Sequence, residues 1–169
     1  MILGIALGGQ PCRAQLSSSL RVDQTAYHAT CISVPKGEAC RYRFTLVARY
    51  ENRAAVTLYL YRCRPGDRTP KYAIAAIPDS TEDSGYDRFW PCVGGVPPIV
   101  VVSRATRVDT LLVEGPNISD GKTGEPLGRL EGEFRLIYEV GTCPRSGDAP
   151  CLLPLEQRRS AVFQVTIKR

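Results

Sequence analysis

A Ser–His–acid hydrolase needs an imidazole held between its nucleophile and a carboxylate, and His28 is the single histidine that could serve. Neither a GxSxG elbow nor an HExxH pair accompanies it. His28 therefore reads as a partly exposed residue near an edge strand. A cysteine nucleophile requires an unpaired thiolate, which the cysteine pattern below argues against. Carboxylates alone can also do acid–base work. Glu131, Glu133 and Glu139, however, fall on the outward face of an alternating segment, where solvated side chains are expected.

The run GPNISDGKT, from Gly115 to Thr123, has the composition of a phosphate-binding loop. Its two glycines are separated by five residues where that loop requires four, and no helix follows to receive the phosphate. A surface loop turning at Asp120 and Gly121 is expected. Asn117, Ile118 and Ser119 form a glycosylation acceptor. The segment PDSTEDSGYD offers Asp79, Glu82, Asp83 and Asp87, hard oxygen ligands of the kind calcium takes. Their spacing does not match an EF-hand, so a hydrated loop is expected. No cofactor and no metal is assigned, calcium being the one ion worth testing.

Seven cysteines at uneven, wide spacing (Cys12, Cys31, Cys40, Cys63, Cys92, Cys143, Cys151) contain no CxxC, so disulfides in an oxidising compartment explain them better than zinc. The odd one lies near the N-terminus. Ile2 to Gly9 is a short apolar stretch, and small residues precede a cleavage point after Ala14. Residues 1–14 are expected to be a signal peptide, its missing basic start being what a truncation would leave, and 15–169 the mature domain. Acylation of Cys12 is the competing reading, opposed by Gln10 and Pro11 before it.

Six cysteines would then remain, compatible with 15 pairings. Cys143 and Cys151 flank the Pro- and Gly-containing loop CPRSGDAPC, which makes their bridge the first expectation. Cys63 with Cys92 would tie an excursion back to its strand, leaving Cys31 with Cys40 across a turn at Pro35, Lys36 and Gly37.

These side chains must be carried by strands, because periodicity of two dominates. In RYRFTLVARYE, Tyr42, Phe44, Leu46, Ala48 and Tyr50 share one face. The break at Glu51, Asn52 and Arg53 leads into AVTLYLYRC, so a hairpin is expected there. Further strands are expected at Leu20 to Ala26, Tyr72 to Ile77, Ile99 to Val102 and Arg107 to Glu114. Glu133 to Val140 puts Phe134, Leu136, Tyr138 and Val140 together, and Ala161 to Ile167 does so for Ala161, Phe163, Val165 and Ile167. Longer loops are expected at Pro78 to Asp87, Gly115 to Gly128 and Gly141 to Gln157. Seven or eight strands without capped helices imply a single antiparallel, disulfide-bridged β-sandwich.

At 169 residues the chain fits one domain, with Gly 15 and Pro 13 supplying turns. The net charge of +5 is scattered along the chain, so nucleic acid is not an expected partner. Arginine predominates over lysine, which composition bias explains. No run reaches the roughly 20 apolar residues of a membrane-spanning helix.

The run RYENRAAVTLYLYRC resembles the opening hairpin of bacterial exported Ig-like β-sandwiches. VVVSRATRVDTLLVEG followed by GEFRLIYEV is similar to their later strands, including those of the bacterial proteinase-inhibitor domain family. Arg104, Ala105 and Thr106 stand where those domains commonly carry a Pro-Gly turn. The resemblance covers about half the chain and implies a non-enzymatic Ig-like fold. The expectation is an exported binding or structural module, periplasmic, cell-surface or extracellular, with a protein or envelope component as partner. A secreted proteinase inhibitor, acting through the Cys143 to Cys151 loop, is the alternative, and a carboxylate-based hydrolase the second alternative.

Overall fold

The computed structural model describes residues 17–32, 40–78, 83–87, 92, 95–119, 126–144 and 151–168. The proposed leader lies outside them. Twelve strands form among the described residues: β1 (Ser18–Val22), β2 (Ala26–Ile32), β3 (Arg41–Asn52), β4 (Leu58–Leu60), β5 (Tyr72–Ala76), β6 (Ile99–Val101), β7 (Thr106–Gly115), β8 (Ile118–Ser119), β9 (Pro126–Leu127), β10 (Gly132–Tyr138), β11 (Val140–Gly141) and β12 (Phe163–Lys168). They are more numerous than the seven or eight expected: β1 and β2 divide one expected segment, β10 and β11 another, and β8 and β9 pair within the expected loop from Gly115 to Gly128. A short 3-10 turn occupies Leu155–Gln157.

The fold is all-β and carries three disulfides, Cys31–Cys40, Cys63–Cys92 and Cys143–Cys151. Pairing is not purely antiparallel, as β2 runs parallel to β12 with Tyr27 opposite Val165. The main sheet follows the order β1-β3-β2-β12-β10-β5, with β7 on the other edge of β3. Two smaller sheets, β11-β4-β6 and β8-β9, complete the described part.

β2 makes this sheet fold over itself. Its first half pairs with β12, while Thr30 to Ile32 pair with Arg43 to Arg41 of β3. The alternation in β3 buries Phe44, Leu46, Ala48 and Tyr50, and that in β10 buries Phe134, Leu136 and Tyr138. These two rows meet across the interior. Phe44 lies 5.3 Å from Tyr27 and 5.2 Å from Tyr86, Tyr27 lies 5.3 Å from Phe163, and Tyr86 lies 5.5 Å from Phe134. Each such pair adds about 0.5–1.5 kcal/mol beyond its buried area. Two layers result, one of β1, β3 and β7, the other of β2, β12, β10 and β5.

The expected strand from Leu20 to Ala26 is broken at Asp23, and the break has a clear cause. The Asp23 N–H donates to the Val47 carbonyl at 3.0 Å, while its Oδ1 accepts from the Val47 N–H at 2.9 Å and from the Tyr27 hydroxyl at 2.7 Å. The carboxylate thus satisfies the edge of β3 while the chain leaves β1 for β2.

The expected hairpin between β3 and the following segment does not form. β4 pairs with β6 and β11, and β3 pairs with β1, β2 and β7. Asn52, 1% exposed, explains the divergence. Its Nδ2 donates to the carbonyls of Val56, Val101 and Val102 at 2.8, 2.9 and 3.1 Å, and its Oδ1 accepts from the Ala54 N–H at 3.0 Å. It steers the chain across to the small sheet instead of turning it back.

Candidate functional site

The residues singled out for chemistry do not converge. His28 is exposed on β2, its Nδ1 2.7 Å from the Thr166 hydroxyl of β12. Glu131 accepts from the Ile167 N–H at 2.9 Å, Glu139 pairs with Lys71 at 2.6 Å, and Glu133 is exposed on β10. Among the described residues no group of three or more His, Cys, Asp or Glu is arranged to hold a metal. Asp79 and Glu82 lie outside the described residues. The Asp83 carbonyl accepts from the Arg129 N–H at 2.7 Å, and the Asp87 N–H donates to Ser84 at 3.2 Å.

The run from Gly115 to Thr123 divides between the end of β7 and β8, its part from Asp120 onward lying outside the described residues. Asn117 is exposed. Its Oδ1 accepts from Arg41 at 3.2 Å, and its Nδ2 donates to the Glu114 and Tyr86 carbonyls at 2.5 and 3.4 Å.

The Cys143–Cys151 loop is anchored at its base, while residues 145–150 lie outside the described set. The Tyr61 hydroxyl donates to the Cys143 carbonyl at 2.9 Å, and the Thr142 N–H donates to the Cys151 carbonyl at 2.8 Å. Gly141 is required here by close approach. A Cβ at that position would collide with the Tyr61 hydroxyl and lie 2.7 Å from the Cys151 carbonyl oxygen.

A different surface stands out, the outward face of β1, β3 and β7. Along β3 it presents Arg43, Thr45, Val47, Arg49 and Glu51, and along β7 Thr106, Val108, Thr110, Leu112 and Glu114. Val108 is 57% and Leu112 50% exposed, although the neighbouring Leu111 and Val113 are buried. An ion cluster borders this apolar pair at each end. At one, Glu114 sits opposite Arg43, bonds to it, and lies 3.5 Å from Arg41.

At the other end Arg21 and Arg49 face each other across β1 and β3, a like-charge pairing that costs free energy. Glu51 offsets it, 3.2 Å from Arg49 and 2.6 Å from Arg53. The Arg53 guanidinium, hydrogen-bonded to Glu51, holds that carboxyl below its usual range against the opposing effect of desolvation.

Beneath this face lies a buried polar group. Asp109, 5% exposed, accepts from Arg107 at 2.5 and 3.0 Å and from the Tyr138 hydroxyl at 3.2 Å. Burial, then the Asp109 charge, pushes the Tyr138 hydroxyl far above its ordinary value. This group ties the two layers together.

β7 is expected from alternation, but Val108 and Leu112 are not among the residues whose types point to chemistry. The signal was their parity: they share the alternation of Thr106, Thr110 and Glu114, the polar side of a strand whose other side carries Leu111 and Val113.

Comparison with protein-family models finds no match, and no curated protein matches. Among solved structures, the chain is similar to part of a β-glucosidase involved in saponin metabolism from intestinal bacteria. Identity is 15%, the TM-score 0.29, and the match covers 90% of this chain but 16% of that one.

Proposed function

We propose that this chain is an exported, non-catalytic β-sandwich of Ig-like type that works as a binding module, engaging a protein or envelope component through its β1–β3–β7 layer. The observation that carries the reading is the half-exposed pair Val108 and Leu112, set between two arginine–glutamate clusters. Apolar centres with charged rims are the usual build of an association surface. Export is supported by the three disulfides, which persist in oxidising compartments. Among the described residues no helix is long and apolar enough to cross a membrane.

The test places a photo-crosslinking residue at Val108 of the disulfide-intact protein in an envelope preparation. Exposed Gln164, on β12 of the other layer, serves as control. A discrete adduct from position 108 and none from 164 is expected. Adducts from neither, or equally from both, overturn the reading.

Proteinase inhibition is the second reading, supported by the anchored base of the Cys143–Cys151 loop. Absence of inhibition at micromolar concentration across serine, cysteine and metalloproteases removes it.

A further inference from the structure

β7 has a strand on one side only among the described residues, β3. Which of its backbone groups face the open side follows from Val47. Its N–H donates to Asp23 Oδ1 and its carbonyl accepts from the Asp23 N–H, so both point away from β7. Residues directly opposite in an antiparallel pair either both bond each other or both turn away. Thr110, opposite Val47, therefore directs its own N–H and carbonyl to the open edge.

By the two-residue period so do Thr106, Val108, Leu112 and Glu114, the same residues whose side chains form the outward face. The Leu112 carbonyl receives the Tyr72 hydroxyl at 3.5 Å and the Glu114 carbonyl receives Asn117 Nδ2 at 2.5 Å, and each retains a second lone pair. The strand carries no proline or lysine, and its register with β3 is continuous, without a bulge. Its inward charges, Arg107 and Asp109, neutralise each other. An edge so lacking in protection is a template for another strand.

The sequence of β7 selects which strand. If β7 pairs antiparallel with a copy of itself about a two-fold axis at Thr110, Val108 of each chain stands opposite Leu112 of the other. Thr106 then stands opposite Glu114, and Thr110 opposite itself. Every outward-directed N–H and carbonyl of these residues meets its complement, and no like charges oppose. Moving the axis to Leu111 sets Val108 against Glu114 and loses the apolar match. We propose that this chain associates with a second copy of itself through β7, in an isologous pair centred on Thr110 that makes one continuous sheet from two β1–β3–β7 layers. The proposal rests on the reading of this layer as the binding surface and names its occupant.

The test uses the full disulfide-intact chain. Sedimentation at about 100 µM, a concentration that reveals association of moderate affinity, is expected to give the mass of two chains. Thr110→Lys, which sets two ammonium groups opposite each other, is expected to weaken association at least tenfold while leaving the circular dichroism unchanged. Thr110→Cys is expected to cross-link two chains under mild oxidation, since paired Cα atoms lie about 5.5 Å apart, within disulfide reach. Thr106→Cys, whose symmetry mate is about 27 Å away at strand spacing, is expected not to. A monomer at that concentration, or cross-linking of Thr110→Cys no faster than that of Thr106→Cys, overturns the proposal. If a Val108 photo-adduct with a different protein accompanies either result, the wider binding reading survives and self-pairing alone fails.

Discussion

The Tyr138 hydroxyl of β10 donates to the Asp109 carboxylate of β7 at 3.2 Å, a contact that crosses the interior and joins the two layers. Asp109 also holds Arg107, which is about a quarter exposed. Tyr138→Phe removes one bond to a charged acceptor and is expected to cost about 1.5–3 kcal/mol. Asp109→Ala leaves Tyr138 without its acceptor and Arg107 with the Arg68 carbonyl alone, and is expected to cost about 2–4 kcal/mol, below a fully buried pair because water reaches Arg107. Urea unfolding of both variants and the double variant checks this. Strictly additive losses would show that the two residues do not act together.

Asn52→Ala is expected to destabilise by about 2–3 kcal/mol, because the carbonyls of Val56, Val101 and Val102 lose their side-chain donor in a buried place. Hydrogen exchange near β4 and β6 should accelerate more than in β10. A uniform change across the chain would contradict the local role given to this side chain.

Four tyrosines make the fold sensitive to alkali. Burial pushes the Tyr50 hydroxyl up to about 12. Burial raises Tyr27, Tyr86 and Tyr138 as well, with help from Asp23, Glu131 and Asp109 respectively. An unfolded tyrosine releases its proton near pH 10, so between there and the folded values the native state holds more protons than the unfolded one. Their contribution is complete below about pH 10 and falls by up to about 1.4 kcal/mol per pH unit for each tyrosine as the pH rises above it. Unfolding midpoints at about pH 9 and about pH 11, with tyrosinate absorbance followed in parallel, test this. Tyrosinate from more than four of the eight tyrosines before the fold is lost would refute it.

Gly141→Ala is expected to be among the most damaging of the small substitutions, at about 2–4 kcal/mol, through collision with Tyr61 and the Cys151 carbonyl. Thermal melting of the oxidised variant measures it. A melting temperature within a degree or so of the parent would mean that the base of the Cys143–Cys151 loop yields freely.

The buried faces were legible because period two is a local property. Phe44, Leu46, Ala48 and Tyr50 in β3, and Phe134, Leu136 and Tyr138 in β10, are buried as alternation implies. Partner choice was not legible. Asn52, read as a chain-reversing position, instead caps carbonyls 49 and 50 residues away, and nothing near it in sequence announces them. Asp23 split an expected strand for the same reason, its partner Val47 lying 24 residues on. The outward face of β7 is written plainly in the sequence, yet its interest depends on knowing that no described strand covers its edge.

The parallel pairing of β2 with β12 has a consequence in time. His28 and Thr166, 138 residues apart, lie within hydrogen-bonding distance. Until residues 163–168 have been synthesised, the edge that β2 offers has no occupant, and the two layers cannot close around Phe44, Tyr27 and Phe163. Contacts so distant in sequence are slow to form, on the scale of milliseconds to seconds. Closure of the two layers therefore waits on β12, and until it arrives the buried rows of β3 and β10 stay uncovered.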